Sequence, residues 1–125
     1  MLIESLLLTV TQLSLYAGES LLTRATGFFF ARDGRLYLVT SGHVFFDAPT
    51  SHQPDHVLLE IHTDAGDLAR SQAFSVPLYQ NGVGRWRQAS DSGGSVDVVA
   101  LEIDALALPP NAMYHAFTPR HVQLS

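Results

Sequence analysis

The sequence predicts an all-β chain of six or so short antiparallel strands joined by tight turns, a small barrel or a sandwich. Three observations lead there. Apolar residues recur mostly at every second position, the period of a strand with one buried face. An Asp33-Gly34 pair separates two β-favouring runs, which is a strong short-range hairpin signal. No long segment carries a 3.6-residue apolar stripe.

Each element follows from its own pattern. Thr9 to Tyr16 alternates, with Leu13 and Leu15 on one parity and Val10 among polar neighbours. Thr23 to Ala31 is rich in Thr and Phe and reads as a second strand; its Phe28-Phe29-Phe30 run is core rather than a ligand stack, because consecutive strand residues alternate faces. Arg35 to Thr40 begins directly after the Asp-Gly turn. His56 to His62 places Val57, Leu59 and Ile61 on one face and Leu58, Glu60 and His62 on the other. Phe74, Val76 and Leu78 share a face, and Asp97 to Ile103 aligns Val99, Leu101 and Ile103. Pro, Gly, Asp and Ser mark loops at Ala48–Asp55, Asn81–Gly84 and Ala89–Ser95. From Leu106 to Ser125, Pro109-Pro110 and Pro119 break any long element, and the stretch reads as an extended connector.

Composition narrows the function. The 125 residues suit one domain, and 46% hydrophobic with 15% charged residues is an ordinary globular balance. Seven arginines, no lysine and twelve carboxylates leave a net charge of −5, which disfavours a phosphate-backbone partner. The absence of Cys excludes disulfides, thiolate metal sites and a Cys nucleophile. Met1 to Leu8 is apolar but carries Glu4, lacks a basic leader and a small-residue cleavage site, and is too short to span a bilayer. The expectation is a folded segment, no membrane association and a cytoplasmic setting.

The chemistry concentrates around Leu38-Val39-Thr40-Ser41-Gly42-His43-Val44. An apolar strand ends in Thr, the small Ser41-Gly42 pair permits a tight turn, and His43 is presented at the strand's end. A general base needs such a rigid, solvent-reachable place. Fifty-four residues later Asp97 heads an apolar strand, and a half-buried carboxylate there could accept the Nδ1 hydrogen of His43 and fix its tautomer.

Together, Thr26-Gly27-Phe28-Phe29, the Leu38–Val44 motif and Asp97-Val98-Val99-Ala100-Leu101 resemble the trypsin-like, chymotrypsin-fold serine peptidases of bacterial type. The second stretch is similar to their Leu-Val-Thr-Ala-Ala-His motif and the third to the motif bearing their catalytic Asp. The likeness spans about residues 8 to 104 and implies one six-stranded antiparallel β-barrel, the first half of a double-barrel fold. Residues 105–125 would then be the connector to an absent second barrel. It further implies His43 as general base and acid and Asp97 as its orienter, with the nucleophilic Ser and oxyanion hole supplied from elsewhere. On that reading the chain is the N-terminal part of a serine endopeptidase, inactive alone. Its partners would be a protein or peptide substrate, the missing barrel, or a second copy across the exposed barrel face. The rivals are a non-catalytic β-barrel protein-binding module that kept the His and Asp, and an unrelated small barrel with Trp86 at a ligand contact.

Ser90-Asp91-Ser92-Gly93-Gly94 resembles the family's nucleophile motif but precedes Asp97, the wrong chain order; it reads as a polar turn. His52 and His56 are spaced i,i+4, yet Pro54 opposes a helix between them, and His56 and His62 lie about 20 Å apart along an extended strand. No metal or cofactor is expected. His115 and His121 read as solvated, and Trp86, between Arg85 and Arg87, as an amphipathic cap over the core.

Overall fold

A computed structural model describes residues 9–64, 70–91, 93–114, 116 and 118, and nine strands form among them. They are β1 (Val10–Ala17), β2 (Ser20–Arg32), β3 (Arg35–Thr40), β4 (His56–His62), β5 (Ser71–Pro77), β6 (Tyr79–Gln80), β7 (Val83–Gly84), β8 (Trp86–Asp91) and β9 (Gly94–Ile103). A single helical turn, α1 (Gly42–Phe45), follows β3, and 3-10 turns cover Ala48–Thr50 and Ala105–Ala107. None of these helical segments is long and apolar enough to cross a membrane.

Seven strands make one antiparallel sheet in the order β5-β4-β1-β2-β3-β9-β8, and β6 and β7 form a separate two-stranded ribbon. This corrects the expected six-stranded barrel. The edge strands β5 and β8 approach at the foot of the ribbon, where the Arg85 N–H donates to the Leu78 carbonyl at 2.8 Å, but no ladder joins them. The β6–β7 ribbon lies in register with that contact, Tyr79 opposite Gly84 and Gln80 opposite Val83, but its pairing does not run on into β5 and β8. Alternation reports which face of a strand is buried; it is silent on whether the two ends of a sheet pair.

The buried face follows the sequence parity. Leu13 and Leu15, Val57, Leu59 and Ile61, and Val99, Leu101 and Ile103 are all nearly or wholly buried, as are Phe29, Leu36, Leu38 and Val76. Registered rows run across the sheet, Leu15 opposite Val57 opposite Val76, and Leu38 opposite Leu101 opposite Trp86. Phe45, Leu78 and Leu108 join the same cluster, with Trp86 and Tyr114 packed against it. Trp86 meets Phe45 and Tyr79 at ring-centroid distances of 5.6 and 5.4 Å, the capping place its flanking arginines suggest. The Asp33-Gly34 turn is a two-residue hairpin loop closed by the Arg32–Arg35 pair, with φ of 54° and 76° as a primed turn requires.

Three expected loops carry more structure than their composition shows. Asn81-Gly82 turns the ribbon, Ala89–Ser95 belongs to the β8–β9 hairpin, and the 47–52 segment is a bridged turn. β8 has no apolar alternation of its own and exists through its pairing with β9.

Asp55 gathers several of these pieces. Its N–H donates to the Tyr16 carbonyl at 2.8 Å, its own carbonyl accepts from Leu78 N–H at 2.9 Å, and Oδ2 accepts from Gly18 N–H at 2.7 Å. Its Oδ1 accepts from His56 Nδ1, and the His56 ring stacks on Tyr16 at 5.3 Å. The His56 hydrogen bond, then the Gly18 N–H, hold the Asp55 carboxyl below the usual carboxylate range. A carboxyl depressed on folding adds stability above its unfolded pKa, and that contribution is lost as pH falls through the folded value.

Two outcomes follow. Asp55→Asn should lower stability at neutral pH by about 1 kcal/mol or less, since the carboxylate is more than half exposed; in urea titrations the gap to the native chain should close as the pH falls through the lowered folded-state value. Leu101→Ala, at a wholly buried position, should cost about 2–5 kcal/mol in the same assay.

Candidate functional site

β3 delivers the chain to the site under tight control. Its last residue, Thr40, is buried and donates its hydroxyl to the Thr26 carbonyl at 2.9 Å. Ser41 stays extended and Gly42–Phe45 forms one helical turn, where the sequence suggested only a tight bend. Val44 and Phe45 are buried and anchor that turn, which leaves His43 facing solvent.

The carboxylate arrives through β9. Thr40 registers with Val99, so Asp97, two residues earlier, lies just beyond the end of β3 and against α1. Asp97 Oδ2 sits 2.7 Å from His43 Nδ1, and Oδ1 accepts the His43 backbone N–H at 3.1 Å. One carboxylate therefore grips both the ring and the main chain of a residue 54 positions away. Gly42 makes room for it, because a Cβ there would stand 2.6 Å from Asp97 Oδ1. The side chains of His43 and Asp97 are 63% and 59% exposed, so the pair is more open than the half-buried carboxylate expected from the sequence.

The His43 hydrogen bond pulls the Asp97 carboxyl below its usual range against desolvation, which is the next largest influence, and the imidazole charge and the backbone N–H groups of His43 and Gly42 add smaller pulls in the same direction. An ionised carboxylate can only accept, so Nδ1 of the neutral ring carries the hydrogen and Nε2 keeps its lone pair. The operating atom of this pair is Nε2, and the pair can take up and return one proton there.

A groove of about 460 Å3 opens beside His43, lined by Leu22, Arg24, Asp47, Ser51 and His52 among others. One wall is the 47–52 turn, made stiff by paired bonds between the Asp47 and His52 backbones, by Thr50 Oγ1 donating to Asp47 Oδ2 at 2.6 Å, and by His52 Nε2 donating to the Val44 carbonyl at 2.7 Å. The other wall is β2. β3 pairs only with Phe28–Arg32, so the 20–27 stretch of β2 has β1 on one side and, among the described residues, no strand on the other. The excess length of β2 over β3 was the readable signal for this edge, because the Asp-Gly hairpin fixes where β3 begins and Thr40-Ser41-Gly42 where it stops. The 47–52 wall gave no comparable signal beyond its turn residues.

His52, His56 and His62 are not brought together, and among the described residues no group of three or more His, Asp or Glu side chains is placed to hold a metal ion. Ser92, His115 and His121 lie outside the described residues. Among those described, no serine hydroxyl bonds the His43 ring.

No protein-family model matches the chain, and comparison with curated proteins and with solved structures finds no match either. The open sheet in place of the closed barrel overturns the trypsin-like assignment; no family model supports it, and among the described residues no serine completes a triad. With it go the serine-endopeptidase function and the barrel-shaped binding module set beside it. What stands is the His43–Asp97 geometry.

That geometry makes direct predictions. Imidazole 15N shifts should show Nδ1 protonated at neutral pH in the native chain, and Asp97→Asn, whose amide can donate to Nδ1, should move the hydrogen to Nε2. Gly42→Ala should loosen the pair, seen as loss of the fixed tautomer with the fold intact by circular dichroism. The Asp97 13C carboxyl signal should titrate below 3.8, and His43→Ala should shift its midpoint upward.

Proposed function

We propose that His43 and Asp97 form a general acid–base dyad serving an extended polypeptide laid in the adjoining groove. The single observation that carries this reading is the 2.7 Å Asp97 Oδ2–His43 Nδ1 bond, which leaves Nε2 basic, fixed in direction and open to solvent. The dyad would remove a proton from a hydroxyl or water held near Nε2 and hand it to a departing group, while Asp97 stabilises the transient imidazolium. The group attacked and the attacking oxygen belong to the substrate or partner. The extended-polypeptide part rests on β2. Before Thr26, whose carbonyl the Thr40 hydroxyl takes, the unpaired strand edge offers main-chain donors and acceptors in the spacing an added strand needs, and the Arg24 and Asp47 charges line the same groove.

The test is hydrolysis of a small activated ester, p-nitrophenyl acetate, by the native chain. His43→Ala should reduce the protein-dependent rate by roughly a hundredfold, the lower end of what positioned acid–base groups contribute, and Asp97→Asn should recover only a small part of it. Equal rates for native and His43→Ala protein would refute the dyad. Adding an unfolded polypeptide such as casein should move the amide signals of Leu22 to Ala25; unmoved signals would remove the polypeptide from the reading and leave the dyad.

A further inference from the structure

Carboxylates outnumber arginines twelve to seven in this chain, and several arginines are engaged within it. Arg32 pairs with Asp33, Arg35 with Glu102, and Arg85 donates to the Pro77 carbonyl. The guanidinium of Arg24, an exposed residue of β2, has no such partner among the described residues.

Arg24 lines two recesses. One is the groove beside His43, and the other, of about 320 Å3, lies between Ser14 and Glu60 on the face of the sheet away from the core. The carboxylate in each recess is taken by a hydroxyl instead of by Arg24. Asp47 Oδ2 accepts from Thr50 Oγ1 at 2.6 Å, and Glu60 Oε1 accepts from Ser71 Oγ at 2.8 Å. His52 is spent on the Val44 carbonyl and the Nδ1 side of His43 on Asp97. The groove of the dyad therefore keeps one charged group with its donors unused, a planar fork of N–H groups that matches a carboxylate.

The strand edge beside Arg24 adds an apolar contact. Leu15 registers with Thr23 and Tyr16 with Leu21, so Leu22 is unmatched by β1. A bulge of this kind bends an edge and re-aims its side chains. Leu22 is 43% exposed and lines the same groove, so an apolar group laid against it would be taken out of water.

We propose that Arg24 selects what the groove receives: an acidic polypeptide segment, with one carboxylate on the guanidinium and an apolar side chain against Leu22. This rests on the polypeptide reading of the groove and adds the class of segment. The net charge of −5 repels an acidic segment elsewhere on the surface, so the preference stands or falls with this one cation.

Fluorescence anisotropy of rhodamine-labelled short peptides with the full chain tests it, using a Leu-Thr-Glu core and the same peptide with Gln or Lys in place of Glu. At low salt the native chain should bind the Glu peptide about three- to fivefold more tightly than the Gln peptide, the range of an exposed ion pair. The Lys peptide should bind most weakly, and the preference should shrink as salt is raised. Arg24→Gln should erase the preference for Glu over Gln, Arg24→Glu should reverse it in favour of Lys, and Arg24→Lys should retain part of it, all with unchanged circular dichroism. Equal binding of the Glu and Gln peptides by the native chain, or a preference that survives Arg24→Gln, overturns the proposal and leaves the polypeptide reading standing. Tighter binding of the Lys peptide overturns it too and gives selection to Asp47. Binding of none of the three overturns both readings of the groove, and the ester assay reports on the dyad separately.

Discussion

The ladder between β3 and β9 governs the rest of the molecule. It joins strands some sixty residues apart, and its register sets Leu36 opposite Ile103, Leu38 opposite Leu101 and Thr40 opposite Val99. Those pairs are buried on both strands. The same register carries Asp97 past the end of β3, where it meets the helical turn bearing His43. A shift by one residue would turn Val99, Leu101 and Ile103 to the outer face and point Asp97 away from the imidazole. Core and dyad are thus two readings of one alignment, and the hydrophobic gain from the buried row keeps an exposed His–Asp hydrogen bond in place. An exposed pair contributes little on its own.

Much of this was readable in the residues. The parity of Leu13 and Leu15, of Val57 to Ile61 and of Val99 to Ile103 names the buried face, because a half-buried strand must alternate. Asp33-Gly34 names the hairpin, because only such residues tolerate its φ values. That His43 and Asp97 meet could be expected from their places at strand ends. What could not be read depended on long-range partners. β8, with Arg87-Gln88-Ala89-Ser90 in its middle, has no pattern and is a strand because β9 is beside it. The α1 turn is too short to show a period. Whether the sheet closes turns on the pairing of β5 with β8, and motifs shared with a barrel family carry no information about that pairing. Motif likeness and fold therefore diverged even though the two motif residues meet.

The open sheet also explains where the molecule can receive other chains. A closed barrel has no edges; this sheet has two, and the overhang of β2 adds a third. The β2 overhang is the one beside the dyad, flanked by a stiff turn.

Because Asp97 reaches His43 only through β9, the imidazole is aligned only when the last third of the chain is in position. On the ribosome, a nascent chain that has not yet acquired residue 97 already contains its histidine but not the carboxylate that gives it direction. The Asp97–His43 hydrogen bond can therefore form only late in synthesis, after the central strands exist and in the same event that completes the sheet around β3.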